Sequence, residues 1–308
     1  MKKPLFSIII PTYNRNDQLT TCLHSLTCLN YSPTNFEVII VNDGGEVQLD
    51  HLIAPFKSQI KVLVINKNNG GPASARNLGA KVAKGDFLVF IDDDCQPDEE
   101  WLTQLEQRLR TNPNCLIGGK TLNLFKDNIY STASQIIIEI VYRYYNKNPE
   151  KCNFFSSNNI ALSKRYFREV GGFDEQFRTA EDRDLCNRWL NKGLIIKYAN
   201  NALIYHANEL NLFTFCKQYF NYGRGSYLFY KKLPPHNLAS FGNLLKFNSN
   251  PRNLIIYPIS KYKNLRGLSI VILMIVWQLT NAAGFIFELL NKTLKSIMIS
   301  KPYNTKNY

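Results

Sequence analysis

Three consecutive carboxylates, Asp92-Asp93-Asp94, follow the apolar run Phe87 to Ile91. Such a run reads as a buried strand, and open α/β sheets bind ligands beyond the carboxyl ends of their strands. Adjacent acids repel one another, and a divalent cation relieves that repulsion. Hard carboxylate oxygens suit magnesium or manganese rather than zinc. The competing reading is a solvated turn capping a helix that starts near Asp98, and the triplet alone does not decide between them. A second acidic group, Glu181-Asp182-Arg183-Asp184, opens a stretch with helical spacing, where acids complement the positive end of the helix dipole. Asn69-Gly70-Gly71-Pro72 opens another, with Pro72 in the first-turn position. Arg76 follows one turn later, and a helix N-terminus and a guanidinium both favour phosphate. On local sequence alone, Arg76 reads equally as a solvated helix residue and Asp43 as part of an Asp-Gly turn. His206 is a lone histidine, a type that usually serves as a hydrogen-bonded structural residue.

The elements that must position these residues alternate. Leu5 to Ile10, Phe36 to Val41, Ile60 to Ile65 and Phe87 to Ile91 are predominantly apolar runs rich in β-branched residues, as expected for parallel strands covered on both faces. Asn16 to Leu29, Glu46 to Phe56 and Pro72 to Ala83 have helical spacing between them. That rhythm predicts right-handed βαβ units and a doubly wound α/β sheet. A helix is expected from Asp98 to Arg110, with acids in its first turn and arginines in its last. Residues 115–160 mix strands with a helix around 129–145. Helices follow at Ser163 to Val170 and Glu181 to Asn191, and Leu194 to Tyr198 and Ala202 to Tyr205 read as closing strands. Trp101 and Trp189 suit stacking on a ligand ring or burial in the core equally well.

Composition bounds the class. The chain has 308 residues, 45% of them hydrophobic, which excludes disordered and fibrous classes. Its seven cysteines are scattered, odd in number and without a CxxC, which argues against a disulfide framework and for a reducing compartment. The net charge is +13, yet residues 1–210 carry 24 basic and 23 acidic residues, so the excess lies in residues 211–308, with 13 basic residues and the single acid Glu288. Lys2 and Lys3 before Leu5 to Ile10 imitate a secretory leader, but Pro11 ends the apolar run too early, so a domain facing the cytosol is expected.

The ordered set Phe6-Ser7-Ile8-Ile9-Ile10-Pro11-Thr12-Tyr13-Asn14-Arg15, Glu37 to Gly45, Asn69 to Asn77 and Asp92-Asp93-Asp94 resembles the family-2 glycosyltransferases of the GT-A fold. The resemblance runs from about residue 5 to about residue 207 and implies a Rossmann-like domain over residues 1–210 that binds a nucleotide-sugar. By that resemblance Pro11 and Tyr13 line the base pocket and Asp43 accepts a hydrogen bond from the base. Arg76 contacts the nucleotide or its diphosphate. The triplet matches the family's DxD, with Asp94 as direct ligand of Mn2+ or Mg2+ and Asp92 on the ribose or sharing the ion. Asp93 is read as outer-shell or structural. Glu181-Asp182 matches the ED motif, with Asp182 as the base that takes the acceptor hydroxyl's proton in an inverting transfer and Glu181 beside it. His206 sits where some members place a further metal ligand. Gly171-Gly172-Phe173-Asp174 also matches and is expected to shape the acceptor side.

Residues 211–308 are expected to form a basic, aromatic, helical and membrane-associated tail. Gly267 to Phe287 runs 21 residues without a charge, bracketed by Lys261, Lys263 and Arg266 before and by Glu288, Lys292 and Lys295 after. That length suits a bilayer span or re-entrant insertion, although Gln278, Thr280, Asn281 and Gly284 weaken it and a helix packed on the core competes. Basic residues on both sides leave orientation open. The expected partners are a nucleotide-sugar donor, UDP-linked in the first instance, a lipid-linked or saccharide acceptor, and the cytoplasmic face of a membrane. Nucleic acid is not expected, since the uncharged stretch makes lipid the better partner for the basic tail. The alternative is a non-catalytic nucleotide-sugar-binding or membrane-surface module on the same fold. The retained carboxylates Asp92, Asp94 and Asp182 argue against it. Donor sugar, acceptor, linkage and oligomeric state are not legible.

Overall fold

A computed structural model describes residues 5–234 and 251–300, side chains at 264 and 295–300 excepted. Lys2 and Lys3, and the side chain of Lys295, therefore lie outside the described residues. The chain divides into two units, residues 1–209 and 210–308.

The first unit alternates strand and helix: β1 (Phe6–Thr12), α1 (Asn16–Thr27), β2 (Phe36–Asp43), α2 (Asp50–Ile53), β3 (Val62–Lys67), α3 (Pro72–Val82) and β4 (Phe87–Ile91). These four strands lie parallel in the order β3-β2-β1-β4. The pleat sends alternate residues to opposite faces, and both faces are apolar. Ile8, Ile10, Val38 and Ile40 face a core closed by Leu19 and Leu23 of α1, while Ile9, Ile39 and Val41 face one closed by Ala73 and Ala80 of α3. Residues this small let α3 lie close on the sheet.

After β4 the sheet becomes mixed. β5 (Cys95–Pro97), α4 (Trp101–Thr111), β6 (Leu116–Asn123), α5 (Ile129–Tyr145), β7 (Asn159–Ser163), α6 (Lys164–Val170), α7 (Glu181–Asn191) and β8 (Ile196–His206) complete the unit. β7 runs antiparallel to β4 and to β6, β8 is parallel to β6, and β5 closes the edge antiparallel to β8.

Three expectations change in detail. The helix anticipated at Glu46 to Phe56 contracts to α2 and a 3-10 turn at Ala54–Phe56, because Pro55 cannot continue an α-helix. The helix anticipated from Asp98 begins at Trp101, so the acidic triplet does not cap it. Asp98 instead accepts from the Glu100 backbone N–H through Oδ1 and from the Trp101 N–H through its carbonyl. The two closing strands are one, β8, whose pairing with β6 jumps from Gly119↔Ala199 to Lys120↔Leu203. Asn159 fills the gap: its Nδ2 donates to the Lys120 and Ala202 carbonyls, and its Oδ1 accepts from Trp101 Nε1 at 2.9 Å. The bulge carries β8 onward until His206 pairs with Cys95. Trp101 and Trp189 are both fully buried, so neither stacks on a sugar.

In the second unit, α8 (Leu212–Lys232) starts with a capping box between Asn211 and Thr214. Beyond Pro251 follow a π-helical turn at Arg252–Ile256, then α9 (Tyr257–Lys261) and α10 (Asn264–Ser300). α8 and α10 touch backbone to backbone. A Cβ at Gly223 would run into the Asn281 carbonyl, and one at Gly284 into that of Phe220. Glu288 is buried and meets Arg224 at 2.8 Å. The uncharged stretch lies within α10, where Leu265, Leu268, Ile272, Ile275, Leu279, Ile286 and Leu290 stay exposed.

Gly71, before α3, sits at φ 91° and ψ 170°, and a Cβ there would lie 2.6 Å from Nη1 of Arg178. That backbone region is nearly exclusive to glycine, so Gly71→Ala should cost about 1–3 kcal/mol in urea unfolding. A loss of only a few tenths would show that the loop accepts a side chain.

Candidate active site

The carboxyl ends of β1, β2 and β4 and the start of α7 converge on a cluster of carboxylates held by cations. Arg76 lies at its centre and is 3% exposed. Its Nη2 donates to Asp92 Oδ1 at 2.6 Å and its Nη1 to Glu181 Oε1 at 2.8 Å. The guanidinium stands 5.6 Å from the centre of the Phe173 ring. Its Nε is buried without a hydrogen-bond partner, a donor still lacking an acceptor. The solvated-helix reading of Arg76 is therefore excluded.

The triplet divides its work. Asp92 keeps the most open carboxylate and turns it to Arg76. Asp93 accepts from Thr12 Oγ1 at 2.7 Å and from Arg15 Nη1 at 3.2 Å, a structural position inside the fold. Burial pushes its pKa up to about 6 against the pull of Arg15. Asp94 accepts from Arg15 Nη1 at 3.0 Å through Oδ2, and its Oδ1 meets His206 Nε2 at 3.2 Å. Burial opposes ionisation of Asp94, but the His206 imidazole and Arg15 hold it well below the usual carboxylate range. Burial works to discharge His206, yet Asp94 raises its pKa.

Helix α7 brings Glu181 and Asp182 to the same centre. Ala180, just before it, is in the left-handed region at φ 70°, one of two such non-glycine residues among those described. The other, Asn14 at φ 53°, ends the β1 loop beside Tyr13 and accepts from the Glu46 backbone N–H. Strained backbone of this kind gathers at sites that must hold side chains in fixed places. Glu181 is committed to Arg76. Asp182 has no side-chain cation within ion-pair distance among the described residues. It accepts backbone N–H groups, its partner at 2.7 Å being Arg183, whose guanidinium turns to Tyr145 and Phe154. Burial raises the pKa of both acids, and in Glu181 the neighbouring Asp182 raises it further.

On the base side, Tyr13 is 52% exposed at the end of β1, next to the half-buried Pro11. Asp43 does more than form a turn. Its Oδ1 accepts from Lys67 Nζ at 2.6 Å and from the Gly70 N–H, and its Oδ2 from the Gly71 N–H at 2.7 Å. It thereby fixes the loop that leads into α3. The Gly171-Gly172-Phe173 turn is pinned by Asn77, which bonds both backbone groups of Phe173, and by Arg188, which donates to the Val170 and Gly172 carbonyls.

Sequence reasoning missed Arg15, Lys67 and Arg178. Arg15 lies within the opening motif, so a search for cations matching the triplet's charge was a usable signal. Arg178, three residues before the acidic pair, donates to Asn69 Oδ1 at 3.2 Å over the same loop.

Residues 7–171 match the family described as Glycosyl transferase family 2, more than half of the chain. The chain belongs to glycosyl transferase family 2. Among curated relatives, it is 29% identical to chondroitin synthase of Pasteurella multocida over 65% of this chain and 24% of that enzyme. It is 23% identical to glycosyltransferase AglE of Haloferax volcanii over 66% of this chain and 67% of that protein. Among solved structures, the mannosyltransferase PcManGT of Pyrobaculum calidifontis, in complex with GDP-Man and Mn2+, superposes with a TM-score of 0.65 at 15% identity, over 95% of this chain and 89% of the other. Staphylococcus aureus TarS 1-349 in complex with UDP-GlcNAc gives 0.54 at 19% identity, over 97% and 93%. Likeness at these identities speaks for the GT-A fold.

The residues present fit the divalent cation that this fold implies. Donor atoms of Asp94, Cys95 and His206 lie within 4.8 Å of one another. Burial raises the Cys95 pKa well above that of a free thiol, and Mn2+ or Mg2+ takes carboxylate and imidazole ahead of sulfur. Carboxylate and imidazole remain, a set suited to manganese or magnesium.

Removing Arg76 strands the buried Glu181 carboxylate and leaves the part-exposed Asp92 unpaired, and breaking a buried pair typically costs about 3–5 kcal/mol. Arg76→Leu should lose stability on that scale in chemical unfolding, and adding Glu181→Gln should recover part of it. A loss below about 1 kcal/mol would mean the pairing carries little of the fold's stability.

Proposed function

We propose that this family-2 member is a metal-dependent, inverting glycosyltransferase. It takes a sugar from a nucleotide-diphosphate donor, a UDP-sugar in the first instance, and passes it to a hydroxyl of a saccharide or lipid-linked acceptor. The observation that carries the reading is the division of carboxylates around Arg76, with Asp92 and Glu181 ion-paired to it and Asp182 making no side-chain ion pair among the described residues. The relatives support the class of work: TarS is described as a poly(ribitol-phosphate) beta-N-acetylglucosaminyltransferase, and others as chondroitin synthases.

Pro11 and Tyr13 would hold the base, and Asp43 would take a hydrogen bond from it with its remaining lone pairs. The unpartnered Nε of Arg76 and the N-terminus of α3 suit the diphosphate. Asp94 and His206, with Asp92 sharing, would hold Mn2+ or Mg2+, which neutralises charge on the leaving diphosphate. Asp182 would accept the acceptor hydroxyl's proton as its oxygen bonds to the anomeric carbon. The bond from that carbon to the diphosphate breaks, and the nucleoside diphosphate leaves. Burial keeps the carboxyl's pKa raised, which makes it a stronger base than an exposed aspartate.

Within α10, residues 265–294 make a stretch of 30 residues, long and apolar enough to cross a membrane. At 1.5 Å per residue it spans about 45 Å, against a hydrocarbon core of about 30 Å. Its exposed apolar side chains and the basic residues around it support placing the enzyme at the cytoplasmic face of a membrane, in surface-polysaccharide or glycolipid synthesis. A non-catalytic module is the weaker reading, because it gives no reason to keep Asp182 out of a side-chain ion pair beside a strained Ala180.

Asp182→Asn should lower transfer about 10²- to 10⁴-fold while nucleotide affinity stays near wild type. Transfer at the wild-type rate would remove Asp182 as base. The base works ionised, so activity is lost as pH falls through its raised pKa. The acid limb of kcat/KM should therefore lie above the ordinary aspartate value of about 3.9. A limb at or below that value contradicts the assignment.

A further inference from the structure

Arg15 takes no part in the transfer just described, yet it occupies a telling position. It is the residue before α1, and a single nitrogen, Nη1, reaches two carboxylates: Asp93 Oδ1 at 3.2 Å and Asp94 Oδ2 at 3.0 Å. The other oxygen of each carboxylate is held from the protein side. Thr12 Oγ1 takes Asp93 Oδ2, while His206 Nε2 and the Cys95 thiol meet Asp94 Oδ1. Thus the two acids turn one oxygen each toward a shared positive centre. The acids are 5% and 10% exposed at their side chains, whereas that of Arg15 is 51% exposed.

Three adjacent carboxylates need positive charge at all times, whether or not a cation is bound. Arg76 neutralises Asp92 from inside the fold and is too deeply buried to leave. Arg15 meets the other two from the solvent side, with His206 sharing Asp94, and an arginine cannot shed its charge by deprotonation. Being half exposed, it regains hydration as soon as it lets go. A divalent cation held by Asp94 and His206 would bring twice its charge to the Asp94 carboxylate.

We propose that Arg15 is a placeholder for the metal: it bridges Asp93 and Asp94 in the unloaded enzyme and is displaced when the cation binds Asp94. The proposal rests on the metal-dependent reading above. Its consequence is coupling. Metal alone must displace Arg15 and leave a guanidinium beside a divalent ion, which opposes binding. Metal arriving with an anionic nucleotide also brings an acceptor for the displaced guanidinium. Nucleotide should therefore tighten metal binding, and metal tighten nucleotide binding, by the same factor.

The test is calorimetric titration of Mn2+ into the full chain, with and without UDP, GDP or dTDP, for wild type, Arg15→Gln and Arg15→Lys. Circular dichroism and the unfolding midpoint would establish that each variant is folded. Removing one competing ion pair of this exposure from each acid should tighten Mn2+ binding without nucleotide about tenfold in Arg15→Gln. The factor by which nucleotide improves Mn2+ binding should shrink in the same variant. Arg15→Lys, which keeps the charge, should stay near wild type in both. Unchanged or weaker Mn2+ binding by folded Arg15→Gln, where wild type binds Mn2+ with nucleotide, would overturn the placeholder and leave the transferase reading standing. A wild-type chain that binds neither nucleotide nor Mn2+ would overturn both.

Discussion

The site depends on one buried cation. Arg76 lies on α3 and reaches in two directions, to Asp92 at the end of β4 and to Glu181 at the start of α7. A guanidinium in the interior is costly unless its charge is met, and it is met here by two carboxylates from elements far apart in the chain. The pairing works in both senses, because the buried Glu181 carboxylate would be costly without the arginine. Much of the local structure follows from this constraint. The small residues of α3 let the helix approach the sheet, Phe173 lies against the guanidinium, and the strained Ala180 sets the angle at which α7 delivers its acids.

The same pairing explains why two adjacent acids differ. Glu181 is spent on Arg76, while Asp182, one residue on, accepts only backbone N–H groups beside a ring-stacked Arg183. The triplet shows the same economy of position: Asp93 is locked to Thr12, Asp94 faces His206, and Asp92 is the most open. Identical side chains thus acquire distinct environments from the ends of different elements, as acid–base chemistry requires.

The parallel half of the sheet was legible because β1 to β4 are short, predominantly apolar runs, and α5 and α7 because their apolar residues recur at helical spacing. The mixed half was less so. β5 has three residues, too few to show a period, yet it is the strand that brings His206 to Asp94. β8 looked like two strands because Asn200-Asn201 interrupts its pattern, and only the side chain of Asn159 reveals why the ladder survives the bulge. In the site, each carboxylate could be named from its motif, but its cation could not. Pairings such as Arg15 with Asp93 and Asp94, or Lys67 with Asp43, join residues tens of positions apart and appear only once the chain has folded.

On this reading the constellation would hold a nucleotide through a divalent cation. Calorimetric binding of UDP, GDP and dTDP to detergent-purified chain, first with Mn2+ and then with chelator, tests it most directly. The account predicts saturable binding of one nucleotide that chelator abolishes and that Asp94→Ala weakens. Binding of no nucleotide by folded protein, or binding indifferent to both chelator and Asp94→Ala, would contradict it.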